Sequence, residues 1–324
     1  MAMETGAKVT VAGAGALGLC IALELARRGR EVVVSDPAAF GDNASGVAAG
    51  MLAPAFEATL DPLAADHFPL LSAARDLWPG FADVALDQSG AVYRGAHGDQ
   101  VAARLAALGA AGERRVEGVF TPEDWRLSPT AALAVLRAQA GEAGVRFEPA
   151  SAMAGDGVLV LATGPGGEGL APELARLTPI KGQILRLAGG PSTGPVVRGD
   201  GVYICPDPAG AVVGATMEPG LTDRAIDPGC IAALREAAEQ LLPDLAGLEA
   251  QAAAGVRAAT PDGLPMVGWS RRDGVMLAVG ARRNGWLLAP LVARVVAAYL
   301  AGEDPGPWAV RLDPRRFDND SEGA

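Results

Sequence analysis

Lys8-Val-Thr-Val-Ala-Gly13-Ala-Gly15-Ala-Leu-Gly18-Leu runs from a short apolar segment into Gly-x-Gly-x-x-Gly and then into a helical pattern. Leu17, Ile21 and Leu25, with Leu19 and Leu23, recur at a spacing near 3.6 residues, which predicts a helix. Gly29 stands where a helix ends. Glu31-Val-Val-Val-Ser-Asp36 then reads as a second buried strand with an acid at its tip. Strand, helix and strand in about 30 residues make a βαβ unit.

Each residue type has a mechanical reason. Gly13 permits a tight turn, Gly15 carries no side chain to hold a pyrophosphate away from the backbone, and Gly18 lets the helix lie close on the strand. The helix N-terminus offers free N–H groups and positive dipole to phosphates. Asp36 is placed to accept from a ribose 2′-OH and to repel a 2′-phosphate. A glycine-rich turn with no nucleotide is the bland alternative for the motif alone. Strand, helix, second strand and acid in the right order favour a dinucleotide.

The totals set limits. A chain of 324 residues exceeds one average domain, and half of it is hydrophobic, so one large or two interleaved domains with a sizeable core are expected. A net charge of −11 argues against nucleic acid or an anionic membrane as partner. The opening Met1-Ala-Met-Glu-Thr-Gly6 lacks the basic start of a signal peptide, and Arg294 interrupts the apolar stretch 286–300. A cytoplasmic enzyme acting on a small molecule is therefore expected, with self-association left open. Cys20, Cys205 and Cys230 are odd in number and far apart, and read as buried hydrophobes rather than a disulfide frame. His67 and His97 lack partners at ligand spacing, so they read as surface or cap residues and no metal site is expected.

Further along, residues 37–54 are rich in small residues, which lets backbone pass close to a flat ligand. A helix starting near Ser45 would aim its positive end at the same pyrophosphate. Residues 67–77 look helical, 84–86 and 91–93 look like strands, and 99–108 looks like a helix capped by Asp99. Thr121-Pro-Glu-Asp124 reads as a helix start, and Ser128-Pro129 as the start of another. Val145-Arg-Phe-Glu148 is a strand. Residues 156–167 repeat strand into glycine, which adds a strand to the nucleotide sheet and sets Gly164 beside the ligand.

Past Pro179 the pattern changes. Residues 182–187, 202–205 and 211–217 are strands with no helix between them, which predicts an antiparallel sheet. A helix over 228–242 follows, then the mostly apolar 250–258, a strand 275–280 and a helix 286–300. The expected fold is α/β: a Rossmann-like dinucleotide-binding domain over 1–78, 122–178 and 256–324, interleaved with an antiparallel α+β substrate domain over 79–121 and 179–255. A ligand cleft belongs between them.

Gly280-Ala-Arg282-Arg283-Asn284-Gly285-Trp286 is a second glycine-rich turn opening a helix, far from the first. NAD needs one phosphate clasp. A flavin dinucleotide also has an isoalloxazine to hold, anionic when reduced, and a helix N-terminus at its pyrimidine edge would stabilise it. An ordinary strand–helix turn is the alternative.

At this point the chain resembles the D-amino-acid-oxidase superfamily of FAD enzymes, most closely the glycine-oxidase branch of thiamine synthesis, whose dinucleotide domain is of the glutathione-reductase type. The matching pieces include Gly13-Ala-Gly-Ala-Leu-Gly18, Ala48-Ala-Gly-Met-Leu-Ala-Pro54, Lys181-Gly-Gln183, Tyr203-Ile-Cys-Pro206, Val213-Gly-Ala-Thr216, Gly255-Val-Arg257, Thr260-Pro-Asp-Gly-Leu-Pro265 and Arg283-Asn-Gly-Trp-Leu-Leu-Ala-Pro290. They run in family order over nearly the whole chain. The resemblance implies that Gly13, Gly15, Ala16, Leu17, Asp36, Ser45, Ala49, Gly50 and Met51 line FAD, with Gly280, Arg282, Arg283, Asn284, Gly285, Trp286 and Leu287 at the flavin end; Gly18 and Gly164 join the cofactor site through the glycine turns read above. It implies that Arg257, Arg283 and Met51 face the substrate and that Tyr203 binds its carboxylate. The covalent-flavin relatives use a Cys near the second clasp or a His in the first loop; neither stands here, so non-covalent FAD is implied. Three departures are visible: Asp207 follows Pro206, Arg282 precedes Arg283-Asn-Gly, and 148–157 is too short for the relatives' β-meander, which leaves the adenine contact unassigned.

The chemistry so implied is hydride transfer from a substrate Cα to flavin N5, with hydrolysis of the imine. It needs positioning more than an acid–base pair, which suits a chain without a candidate catalytic His. Arg257, a charge in an otherwise apolar strand, is the expected carboxylate anchor; an internal salt bridge is its alternative. Two other functions fit the same residues: a D-amino-acid or cyclic-amine dehydrogenase with a non-oxygen acceptor, and a non-catalytic flavin-binding protein.

Overall fold

The computed structural model describes residues 8–150 and 157–321. The opening residues 1–6, Asp156 and most of the shortened 148–157 segment lie outside the described residues. The elements run β1 (Val9–Ala12), α1 (Ala16–Arg27), β2 (Val32–Ser35), α2 (Ala44–Val47), β3 (Met51–Leu52), α3 (Pro54–Leu60), α4 (Phe68–Arg75), β4 (Leu86–Asp87), β5 (Ala91–Tyr93), α5 (Gly98–Ala107), β6 (Glu113–Arg115), β7 (Gly118–Thr121), β8 (Trp125–Leu127) and α6 (Pro129–Glu142). They continue as β9 (Arg146–Glu148), β10 (Val158–Leu161), β11 (Thr178–Leu187), β12 (Val196–Arg198), β13 (Tyr203–Asp207), β14 (Gly210–Gly214), β15 (Glu218–Pro219), α7 (Pro228–Leu241), β16 (Ala250–Ala259), β17 (Met266–Trp269), β18 (Val275–Val279) and α8 (Gly285–Ala301).

The first sheet has the order β17-β18-β10-β1-β2-β9. All its pairs are parallel except β17 with β18. Apart from Thr10 and Ser35 its central strands are apolar, because a second core cluster, with Ala171, Leu174 and Phe317, forms beside the one that holds the helices. Helices α1, α6 and α8 share one core cluster with β1 and β2. Arg294, the charge inside α8, is exposed while nearly every neighbour is buried. Helix α1 ends as expected: Gly29 has φ +78°, its N–H reaches the Ala26 carbonyl at 2.9 Å, and the Arg30 N–H reaches Leu25 at 3.1 Å.

The second sheet is mostly antiparallel, in the order β15-β11-β14-β13-β12-β5-β7-β6, with β16 on the far side of β11. The pair β12–β5 is its parallel exception. Strand β16 pairs with β11 from Ala250 to Ala259, so the chain returns to the first sheet after residue 259 rather than after 255. A small third sheet has the order β3-β8-β4; its Leu52 and Leu127 join the core of the first sheet, and its Arg126 donates to the Pro206 carbonyl of β13.

Several local expectations are corrected. Thr121-Pro-Glu-Asp124 starts no helix; it turns β7 into β8, and the buried Asp124 carboxylate accepts from the N–H groups of Ala55 (2.8 Å) and Phe56 (3.2 Å). It therefore caps α3, 69 residues away in sequence. Asp99 lies inside the first turn of α5 and pairs with Arg114, and His97 holds the cap position. Of 84–86 only Leu86 is in a strand, and β4 pairs with β8, not β5. Ser128 does precede α6 but makes no side-chain cap bond. His67 is buried, and Cys230 is half-buried while Cys20 and Cys205 are fully so. Strands β6, β7 and β12 are three or four residues long, too short for an alternation to display itself in the sequence. Among the described residues no helix is long and apolar enough to cross a membrane, and no group of His, Cys, Asp or Glu could hold a metal.

Candidate active site

Two cavities meet between the sheets. The first, about 540 Å³, runs from Gly13, Gly15, Asp36, Ser45 and Gly164 to Gly280, Arg282 and Trp286. Ala16, Leu17, Arg283 and Gly285 also line it. Its near end is built by backbone approach. Gly13 has φ +108°, and a Cβ there would lie 2.4 Å from the Ala162 carbonyl oxygen. A Cβ on Gly18 would lie 1.9 Å from the Gly13 carbonyl oxygen. Gly18 therefore shapes the loop from behind and lines neither cavity. Asp36 accepts from the Ala14 N–H at 2.7 Å, and the Ser45 hydroxyl accepts from the Ala16 N–H at 3.0 Å. Both side chains thus hold the glycine loop open while facing the cavity.

The far end is the turn from β18 into α8. Gly280 has φ +86°, and Arg282 has φ +50°, the left-handed region that a non-glycine residue adopts at a cost of about 1–3 kcal/mol. The Arg282 N–H to the Ala258 carbonyl (2.8 Å) and its ion pair with Asp61 over-determine that conformation. Trp286 donates its indole N–H to the Ser45 carbonyl at 3.1 Å, tying the two clasps together. The Leu287 side chain is fully buried in the core and lines neither cavity.

The second cavity, about 380 Å³, is lined by Ala49, Gly50, Met51, Glu57, Arg198, Tyr203 and Asn284 among others, and opens near α5. Ala49, Gly50, Met51 and Asn284 thus line this cavity and not the first. Ala44, Ala48, Gly255, Arg257, Arg283 and Trp286 line both, so they form the shared wall.

Arg257 reaches that wall because β11 has no side chain under it. A Cβ on Gly182 would lie 2.2 Å from Arg257 Nη1. In the same way a Cβ on Gly214 would lie 2.4 Å from the Tyr203 hydroxyl. Arg257 donates to the Thr216 carbonyl at 3.4 Å, and no carboxylate pairs with it among the described residues. The internal salt bridge is therefore not what holds it. Burial pulls its pKa below the ordinary guanidinium value, with Arg283 and Arg282 adding to the fall. Burial likewise pushes the Tyr203 phenol up.

The other arginines are engaged. Glu57 Oε1 lies 3.2 Å from Arg198 Nη2 and 3.1 Å from Arg283 Nη2. Asp61 lies 3.6 Å from Arg283 and pairs with Arg282. Glu57, followed by burial acting the other way and then Asp61, sets the Arg283 pKa above its usual value. Glu57, Asp61 and Arg198 escaped the sequence reading. The signal was available: Glu57 is the lone charge in Pro54-Ala-Phe-Glu-Ala-Thr-Leu60, and Arg198 ends the apolar Val196-Val-Arg, the same mark that singled out Arg257.

Residues 8–299 match the DAO family, described as FAD dependent oxidoreductase. The chain is 31% identical over 368 residues to the bifunctional protein ThiO/ThiG of Trichormus variabilis, covering 95% of this chain and 55% of that protein. It is 28% identical over 353 residues to glycine oxidase of Geobacillus kaustophilus, covering 89% and 91%. The crystal structure of that glycine oxidase superposes with a TM-score of 0.79 at 26% identity, over 92% of this chain and 96% of the other. The bifunctional tRNA 5-methylaminomethyl-2-thiouridine biosynthesis protein MnmC of Maricaulis maris is 32% identical over 326 residues, covering 92% and 52%. The chain thus spans about half the length of its bifunctional relatives and nearly all of glycine oxidase.

Proposed function

The chain belongs to the DAO family of FAD-dependent oxidoreductases, and from that premise we propose that it oxidises a small amino acid or amine, in the manner of a glycine oxidase, where its two cavities meet. The observation that carries this reading is Arg257: a guanidinium on the shared wall with no carboxylate paired to it among the described residues.

The residues present fit the cofactor. Gly13, Gly15, Ala16 and Leu17 offer backbone to a pyrophosphate, Asp36 and Ser45 stand beside them, and Gly164 closes the same end. Gly280, Arg282, Arg283, Gly285 and Trp286 would hold the flavin end, with Ala49–Met51 and Asn284 on the substrate side. No Cys stands in Gly280–Trp286 and no His in 44–51, which supports non-covalent FAD. FAD, when bound, supplies the acceptor for the hydride that leaves the substrate Cα, and the imine left behind hydrolyses in water.

The chain's own residues position the substrate. Arg257 grips the carboxylate through two N–H groups, which fixes its plane as well as its place. The Tyr203 hydroxyl, kept protonated by burial, adds a donor from β13. Arg283 and Met51 complete the surroundings. With the carboxylate fixed, Cα is delivered to one spot on the shared wall, and such positioning is a large part of catalysis. The likeness to glycine oxidase of Geobacillus kaustophilus favours glycine as the first substrate to try, with sarcosine next.

The test is Arg257→Ala and Arg257→Lys in flavin-loaded enzyme. A charge-assisted bidentate contact is worth about 1.5–3 kcal/mol, so kcat/KM should fall roughly 10- to 100-fold for Ala and less for Lys, mostly in KM. Unchanged kinetics in both variants would remove Arg257 from the substrate and with it this reading.

A further inference from the structure

Four guanidiniums crowd the meeting of the cavities: Arg198, Arg257, Arg282 and Arg283. They are not equivalent. Arg282 is paired with Asp61, while Arg198 and Arg283 converge on a single oxygen, Glu57 Oε1, at 3.2 and 3.1 Å. Among the described residues, Arg257 alone of the four is paired with no acid.

Glu57 is an unusual partner. Its side chain and that of Arg198 are each 5% exposed, and its second oxygen, Oε2, is buried with no donor. A buried ion pair is weak support for a fold even when fully bonded, and an oxygen without a donor makes this one poorer. What Glu57 does accomplish is electrostatic. Two guanidiniums meeting at one carboxylate oxygen is the arrangement that a ligand carboxylate would receive, and here a side chain already fills it.

We propose that Glu57 is a specificity-determining residue: its carboxylate occupies Arg198 and Arg283, which would otherwise hold a second substrate carboxylate, and so confines the cavity to amino acids carrying one. This rests on the reading of Arg257 as carboxylate anchor. Discrimination then comes from a built-in competitor rather than from a better fit to the preferred substrate. A dicarboxylate such as iminodiacetate or aspartate would have to leave its second charge beside Glu57, desolvated and repelled. A neutral amide at position 57 removes that repulsion and replaces the charge-assisted bonds to the two guanidiniums by weaker neutral ones, so that a ligand carboxylate can compete for them, Arg283 keeping Asp61 at 3.6 Å.

The experiment titrates holoenzyme with acetate and propionate, and with malonate and succinate as dicarboxylates of two spans, following the flavin absorbance and the binding heat. In E57Q, malonate or succinate should bind at least tenfold tighter than in the wild type, with acetate changing less than threefold. Activity on iminodiacetate relative to sarcosine should rise in the same proportion. E57Q/R198M, which removes one of the freed donors, should lose most of that gain. If E57Q does not accumulate as folded holoenzyme, E57D keeps the charge but draws it back by one methylene, and a gain of at least threefold is expected. No gain for either dicarboxylate in a folded variant, or a gain that survives R198M, overturns the proposal. Failure of the wild type to bind acetate at all would instead overturn the carboxylate anchor beneath it.

Discussion

The cavity beside Gly13 is walled by main chain, and the one beside Arg257 by charged side chains. In the first, glycines keep side chains away so that backbone N–H groups can reach a phosphate, and the side chains of Asp36 and Ser45 brace the loop through single hydrogen bonds. In the second, glycines serve the opposite purpose: Gly182 and Gly214 clear floor space so that Arg257 and Tyr203 can lie across the sheet. The same residue type thus exposes backbone in one half and gives room to functional groups in the other. Damage to the first wall should cost the whole holoenzyme, while damage to the second should cost substrate affinity alone.

Gly18→Ala puts the first half of that contrast to its severest test. The added Cβ would fall 1.9 Å from the Gly13 carbonyl oxygen and 3.5 Å from the Ala162 Cβ. The helix gains up to about 1 kcal/mol from alanine's propensity, but forcing an atom into a filled space costs typically about 1–3 kcal/mol. The Gly13 loop must shift, so FAD retention should fall together with stability. The ratio of flavin to protein absorbance and the denaturant midpoint check this, and a variant that purifies fully yellow with an unchanged midpoint would break the comparison.

Gly182→Ala tests the second half and should be milder. Its Cβ would collide with the Arg257 guanidinium, the far end of a flexible side chain that can move aside. Flavin content should stay at wild-type level while KM for a carboxylate substrate rises roughly tenfold, the equivalent of about 1.4 kcal/mol. Steady-state kinetics on holoenzyme decides it, and loss of flavin rather than of affinity would show that the two walls are not separable.

The same contrast explains what could be read in advance. The first wall is local: Gly13, Gly15, Gly18 and Asp36 fall within one βαβ unit, so spacing alone displays them. The second clasp is equally local from Gly280 to Trp286, though Leu287 turns into the core because an α-helix carries successive residues to different faces. The charged wall is assembled by register. Arg257 stands opposite Ile180 across β11 and β16, two pairs from Gly182 opposite Gly255, and Tyr203 stands opposite Gly214. Arg257 was legible as a charge in an apolar strand and by family likeness, but its freedom from a partner was not. Whether an acid is left for it depends on Glu57 of α3, which is taken up by Arg198 and Arg283, 141 and 226 residues from it in sequence. Asp124 shows the same limit: its type announced a helix cap, while the helix it caps lies elsewhere in the chain.

Asp124 also yields the smallest predicted effect, because its hydrogen bonds go to α3, the helix that carries Glu57, and not to the charged wall itself. Burial raises its pKa from 3.8 to about 7, against the opposing pull of Arg198 and the two N–H groups it accepts from, with Glu57 adding to the rise. A folded-state pKa above the unfolded one means that the native protein holds this proton more tightly than the unfolded chain. The resulting contribution to stability is complete below about pH 4, declines as pH rises toward 7, and is level beyond that. Asp124→Asn has no such proton. The melting temperature of the wild type minus that of the variant should therefore fall between pH 4 and 7 and then stay constant, as read by thermal unfolding of both proteins across that range. A difference that grows with pH would mean that the cap works as a charged carboxylate, held by Arg198 and the α3 N-terminus against the cost of burial. The charged wall would then extend one layer deeper, from Glu57 through its helix to Asp124.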